Sequence, residues 1–229
     1  MNMVKMAGLL SLSLALCACN PAAQQNINND QQSSSDKSQA YSGFLSSYKD
    51  LEEIKAEDNS LVKRYISPEL KQRGYNKIMV DALQYFPAPK PNDSASRETL
   101  SAISEYTNDT FALAIRNTAT LATEPGDRTI RLKVAITELN VVDKDSMDYR
   151  YLQTEFLSSE AVNEAAELIV KFTIEVEVLD SRSSETLARV VKTGFGESMK
   201  AGEPITLDKV KPLLDIWRET MQKSIVEQL

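Results

Sequence analysis

Histidine is absent from the 229 residues, and cysteine occurs only at positions 17 and 19. Without histidine the chain lacks the commonest general base, the Ser-His-Asp and Cys-His nucleophile systems, and the commonest metal ligand. Excess positive charge is lacking too: 26 basic against 33 acidic residues leave a formal charge of −7. An acidic body has no electrostatic footprint for nucleic acid and is repelled by anionic lipid surfaces. There is also no apolar run long enough to span a bilayer. The longest, Met6 to Ala18, is about 10 to 13 residues, against the roughly 20 required.

That short run is nonetheless the most informative segment. Lys5 supplies a positive n-region, Ala7 to Leu16 an apolar h-region, and small Ala18 precedes Cys19. Leu16-Cys17-Ala18-Cys19 resembles the lipobox of bacterial lipoproteins, with Leu three positions before the cysteine and a small residue directly before it. Leu14-Ala15-Leu16-Cys17 puts bulky Leu before the cysteine and fails the pattern. Residues 1–18 are therefore read as a lipoprotein signal peptide and Cys19 as the acylated residue. The alternative is an ordinary cleavable signal that leaves the protein free. Acylation at Cys19, with Cys17 removed, leaves no thiol for a nucleophile, a disulfide or a metal. The mature chain then carries 25 basic and 33 acidic residues, a charge of −8. Asn20 resembles the outer-membrane default of enteric lipoprotein sorting, in which Asp at that position favours inner-membrane retention. The expected localisation is the periplasmic face of the outer membrane.

Residues 19–40 hold one large apolar side chain, Ile27, among Asn, Gln, Ser and Asp. Such a composition cannot offset its ordering entropy, so a disordered tether is expected. Its r.m.s. span is about 25 Å, and stretched it reaches roughly 70 Å.

Residues 41–229 read as a single domain. Tyr41 to Leu61 is read as a loop with short turns wrapped on that domain. Ile78, Val80 and Ala82 alternate with Lys77, Met79 and Asp81 as a strand, ended by Phe86-Pro87-Ala88-Pro89-Lys90-Pro91. Asp93 to Ser96 supply helix-start residues, and Leu100, Ile103, Thr107, Phe111 and Ala114 follow at helical spacing. Ile130 to Thr137 and Leu168 to Val178 alternate as strands with one buried and one wet face, and Leu187 to Phe195 follows a hairpin at Asp180 to Ser184. Val210, Leu213, Leu214, Trp217, Met221 and Ile225 form an amphipathic helix capped by Thr206 or Asp208. Pro212 fits it best if it begins near Lys211. The predicted fold class is α+β: a two-layer sandwich of a mostly antiparallel sheet and two packed helices, in the order β-α-β-β-β-α.

Several stretches resemble an uncharacterised Gram-negative lipoprotein family, catalogued as domain of unknown function thirty-three thirteen. They are Ser42-Gly43-Phe44-Leu45 with Tyr48 and Leu51, Tyr75 with Lys77-Ile78-Met79-Val80-Asp81, the two later strands, and Trp217. The resemblance implies an envelope lipoprotein with no established activity, and it transfers no catalytic residue.

Four constellations bear on chemistry. Asp143, Asp145 and Asp148 suggest calcium, but Asp148 and Thr154 stand where an EF-hand needs Gly and Glu, so no metal site is expected. Glu175 and Glu177 share a strand face with Lys171, a supply of carboxylates for glycoside chemistry that a solvated strand face also explains. Gly194-Phe195-Gly196 is read as backbone geometry. Tyr41, Phe44 and Tyr48 are a possible binding patch, or a staple holding the N-terminal arm to the core. The resulting expectation is a non-catalytic binding or scaffold module, without cofactor, held to the membrane by lipid and serving another envelope protein. A cell-wall hydrolase using paired carboxylates and a ring-forming secretion lipoprotein are the alternatives. Oligomeric state is left open.

Overall fold

The computed structural model describes residues 41–91, 95–145 and 168–229. The expectations for the signal peptide, Cys19 and the tether lie outside the described residues, as does Asp148. The strands are β1 (Glu52–Lys55), β2 (Leu61–Ile66), β3 (Lys77–Val80), β4 (Gln84–Tyr85), β5 (Thr120–Leu121), β6 (Thr129–Asp143), β7 (Leu168–Asp180) and β8 (Thr186–Met199). The helices are α1 (Glu69–Gln72), α2 (Arg97–Arg116) and α3 (Leu207–Gln228). The class is α+β. One sheet runs β1-β2-β8-β7-β6-β3-β5, and β4 pairs with β6 off that path. Pairing is antiparallel from β1 through β6 along that order and parallel where β3, β4 and β5 join.

Alternation builds the three long strands. Ile130, Leu132, Val134 and Ile136 of β6 lie opposite Asp180, Val178, Val176 and Ile174 of β7. A bulge between Ile136 and Glu138 then changes the parity of β6. Beyond it, Leu139 and Val141 take the places opposite Phe172 and Val170. Leu100, Ile103, Phe111 and Ile115 of α2 and Val210, Leu213, Leu214 and Trp217 of α3 join this series in the main core. The α2 start is set by Ser96, whose hydroxyl accepts from the Thr99 amide at 3.1 Å.

Three expectations are corrected. The stretch read as loop contains β1, which pairs with β2. β1 carries charge at most positions, as an edge strand does to discourage further pairing, and in β2, which is paired on both sides, Lys63 and Arg64 interrupt the apolar alternation; both hide the period. Second, α3 takes Thr206 as its cap, one of the two residues expected there, so it begins at Leu207 rather than near Lys211 and holds Pro212 in its second turn. A proline there costs a hydrogen bond and about 3 kcal/mol in an isolated helix. Val210, fully buried ahead of it, anchors the early start in the core. Third, the face expected to be wet is not. Glu175 and Glu177 are each 2 % exposed.

The two glycines of β8 explain how closely α3 lies. A Cβ at Gly194 would come within 2.8 Å of Leu213 and 2.9 Å of the Trp217 ring. At Gly196 it would run into the Lys209 carbonyl. Phe172 stands opposite Gly194 and stacks at a tilt on Trp217, with ring centroids 5.6 Å apart. Gly194-Phe195-Gly196 thus serves helix packing.

Candidate functional site

The buried carboxylates lie beneath a strap formed by residues 42–48. Gly43 takes φ +88°, a conformation L side chains avoid, and turns the chain over β7. The strap closes on the Tyr48 hydroxyl. That oxygen accepts from the amides of Gly43 (3.0 Å) and Leu45 (3.2 Å), lies 3.1 Å from the Ser42 hydroxyl, and donates to Glu175 Oε2 at 2.6 Å. The Ser46 amide donates to Glu177 Oε1 (3.0 Å), and Lys133 Nζ to Glu177 Oε2 (3.1 Å). Arg189 Nη1 donates to the Ser47 carbonyl at 2.7 Å, and its guanidinium lies 4.6 Å from the Tyr65 ring centroid. Phe44 and Leu45 pack on Ala135 and Val191 in a small second core.

The electrostatics follow. Burial raises the Glu177 pKa, but hydrogen bonds from Ser46 and Lys133 and the lysine charge outweigh it, leaving the group below its ordinary value. Burial and the bond to Glu175 push the Tyr48 phenol above its own. Glu177 is therefore an ionised structural anion, without the raised pKa that suits a carboxyl to donate a proton at neutral pH.

The aromatic trio separates in the structure. Phe44 is buried, and Tyr48 is half-buried with its hydroxyl engaged. Tyr41 is 41 % exposed and stacks on Tyr48 at 4.2 Å. Two of the three thus fasten the arm, and only Tyr41 presents much surface. Lys171 pairs with Glu138 at 3.2 Å rather than with Glu175 or Glu177. Asp143 accepts from the Asp145 amide at 2.8 Å, a local turn.

On the opposite face lies a cluster that sequence reasoning missed. Lys192 Nζ donates to Asp58 Oδ2 (2.6 Å) and Thr220 Oγ1 (3.0 Å), and it sits 5.1 Å from the Trp217 ring centroid. The indole N–H donates to Ser60 Oγ at 2.7 Å. Burial lowers the Lys192 pKa against the pull of Asp58. Asp58 itself is raised by burial but lowered further by Lys192, ending below its ordinary value. The signal was legible: Lys192 occupies an apolar-parity position of β8. Beside this cluster, α3 and the sheet enclose an open cavity of about 380 Å³.

A family model matches residues 40–221. The chain belongs to the family described as "Protein of unknown function (DUF3313)". The match spans the strap, the whole sheet and most of α3. Among relatives, this family member is 25 % identical over 178 residues to "Uncharacterized lipoprotein YdcL" of Escherichia coli strain K12, covering 76 % of this chain and 80 % of that one. Its fold is weakly similar to a PelC dodecamer structure from Paraburkholderia phytofirmans, at 14 % identity and TM-score 0.35, covering 71 % and 97 % of the two chains. It is also weakly similar to a putative neuraminyllactose-binding hemagglutinin homolog from Helicobacter pylori, at 6 % identity and TM-score 0.34, covering 68 % and 83 %. Likenesses this slight say nothing about ligand or assembly. Among the described residues no helix is long and apolar enough to cross a membrane.

Proposed function

We propose that this family member is a lipoprotein anchored by acylated Cys19 to the periplasmic face of the outer membrane, with a non-catalytic domain that binds another component of the envelope. The domain is a two-layer body, α2 and α3 forming one layer and the sheet the other. The carrying observation is how the polar groups are spent. The strap consumes Glu175, Glu177 and Arg189 in hydrogen bonds that hold the arm, so the carboxylate pair offers a sugar chain no access. What remains open is Tyr41 on one side and the apolar cavity on the other. The lipobox pattern and the similarity to a lipoprotein support the anchor. Acyl chains on one residue suffice to hold an acidic body, since each buried CH₂ contributes about 0.8 kcal/mol.

Intact mass of the protein extracted from membranes tests the anchor: the expected mass is that of residues 19–229 plus acyl groups. An unmodified product, or one trimmed elsewhere, overturns it. Envelope crosslinking followed by purification tests the binding role, with a discrete partner expected. Release of soluble fragments from peptidoglycan by the purified protein would overturn the non-catalytic part.

A further inference from the structure

The sheet face under α3 contains an anomaly. One register row crosses four strands as Val134, Val176, Val190 and Arg64. Val134 is 2 % exposed, yet Val176 and Val190, at the centre of the sheet on its two central strands, are only half-buried. The rows on either side hold Ile174, Val178 and Ala188, all buried. A closed core would cover the two valines. Here they floor the cavity of about 380 Å³, whose opposite wall includes Trp217, Met221 and Ile225. That volume lies within the range of small-molecule sites, and an apolar space of this kind takes apolar ligands.

The row ends in a charge. Arg64 is half-buried, lines the same cavity, and makes no ion pair among the described residues. Its register neighbour on β1, Glu52, is exposed and not paired with it. The other cations of the lining are already engaged, Lys192 with Asp58 and Lys223 with Glu57 at 3.0 Å. An apolar floor leading to a guanidinium that makes no ion pair among the described residues is complementary to a molecule with an aliphatic chain and an anionic end. Guanidinium favours carboxylate and phosphate because its fork matches their oxygens.

We propose that the cavity beneath α3 binds a single-chain anionic amphiphile, its hydrocarbon lying on Val176 and Val190 and its carboxylate or phosphate pairing with Arg64. This deepens the binding-module reading and rests on it. The two fail separately, because the anchor is read by mass and the cavity by fluorescence.

Trp217 is the only tryptophan in the chain and lines the cavity, so its emission reports occupancy. The full chain in phosphatidylcholine vesicles is titrated with dibromostearate, whose bromines quench indole on contact. Saturable quenching is expected at one amphiphile per chain. Vesicles of brominated phosphatidylcholine should leave the buried Trp217 unchanged. Absence of quenching by both dibromostearate and brominated lysophosphatidylglycerol, or equal quenching by the brominated vesicles, overturns the proposal. Arg64→Gln should weaken dibromostearate binding about tenfold and leave its methyl ester unaffected; equal loss for both, or for neither, overturns the head-group assignment. Val190→Phe, and separately Val176→Phe, should abolish quenching while the far-ultraviolet spectrum stays native. Native-like variants that still bind overturn the location. Brominated lysophosphatidylglycerol is the second arm. Quenching by either amphiphile supports the site, and the tighter one distinguishes phosphate from carboxylate.

Discussion

Two neighbouring rows of the sheet, one residue apart along each strand, invert the usual rule of apolar inside and polar outside. On the strap face run Lys133, Glu177, Arg189 and Tyr65; on the helix face run Val134, Val176, Val190 and Arg64. The first is charged but sealed at its centre, with Glu177 2 % and Arg189 7 % exposed. The second is apolar but open at its centre. The cover decides. A short strap closes a charged surface because its amides and carbonyls hydrogen-bond to the charges beneath, which a buried charge requires. Two helices cover a larger apolar surface, α3 coming closest where Gly194 and Gly196 allow, and a gap remains beside Trp217. A sealed polar row is specific and intolerant of change; an open apolar row is tolerant and available.

The sharpest way to break that comparison is to cut each row at its middle. Glu177→Ala should cost about 2 kcal/mol, because it leaves the Ser46 amide without its acceptor beneath the strap and removes the buried partner of the part-exposed Lys133. Val176→Ala, one residue away on the open face, should cost only about 1 kcal/mol, since it is incompletely buried and borders an existing cavity. Urea unfolding of both variants measures the difference. Equal costs would mean that the strap does not seal its row.

Acid probes the same contrast without mutation. The folded-state pKa values of Glu177 and Asp58 lie below their ordinary values, and that of Asp180 is lowered to about 2, first by the Ser183 amide. The folded chain holds these protons less tightly than the unfolded chain. The resulting stability is complete above the ordinary carboxyl range near about 4 and is lost as pH falls through the folded values. Unfolding free energy should therefore be level from about pH 5 to neutrality and fall steadily below. Glu177→Gln should flatten part of that fall. A curve as steep as that of the parent would remove Glu177 from the account.

Tyr48→Phe tests the strap alone. The hydroxyl accepts from two amides and donates to Glu175, so its loss should cost about 1 to 2 kcal/mol. Amide exchange should accelerate at Gly43 and Leu45 while amides of β6 and β7 beneath α2 and α3 keep their protection. Uniform acceleration would show that the two faces are not separable.

What was legible in the sequence follows the same division. Strong periodicity marked β6, β7, β8, α2 and α3, because one kind of partner, an apolar layer, selects the pattern; the helix-start stretch Asp93 to Ser96 contained the cap of α2, Ser96. β1 was hidden by the charges that protect an edge, and β2 by the adjacent Lys63 and Arg64 that break its alternation. The strap face misled because alternation reports which residues differ from their neighbours, not what covers them; Glu175 and Glu177 look solvated until the tyrosine and amide that reach them are placed some 130 residues earlier in the chain. The cavity left no periodic signature. Its traces were parity breaks, Lys192 in β8 and Arg64 in β2, each a charge where the strand's rhythm called for an apolar side chain.

The smallest stability effect separates fastening from recognition. Tyr41 stacks on Tyr48 from the solvent side and lies under Lys63, whose ammonium is 5.9 Å from its ring centroid. Tyr41→Ala removes no buried hydrogen bond and should shift stability by less than about 0.5 kcal/mol. If Tyr41 is the part of the aromatic trio offered to an envelope partner, the same change should cut crosslinked yield several-fold, because exposed aromatics at the centre of an interface contribute disproportionately to binding. Unchanged capture with unchanged stability would leave Tyr41 without a role in docking and place recognition on the cavity side of the sheet.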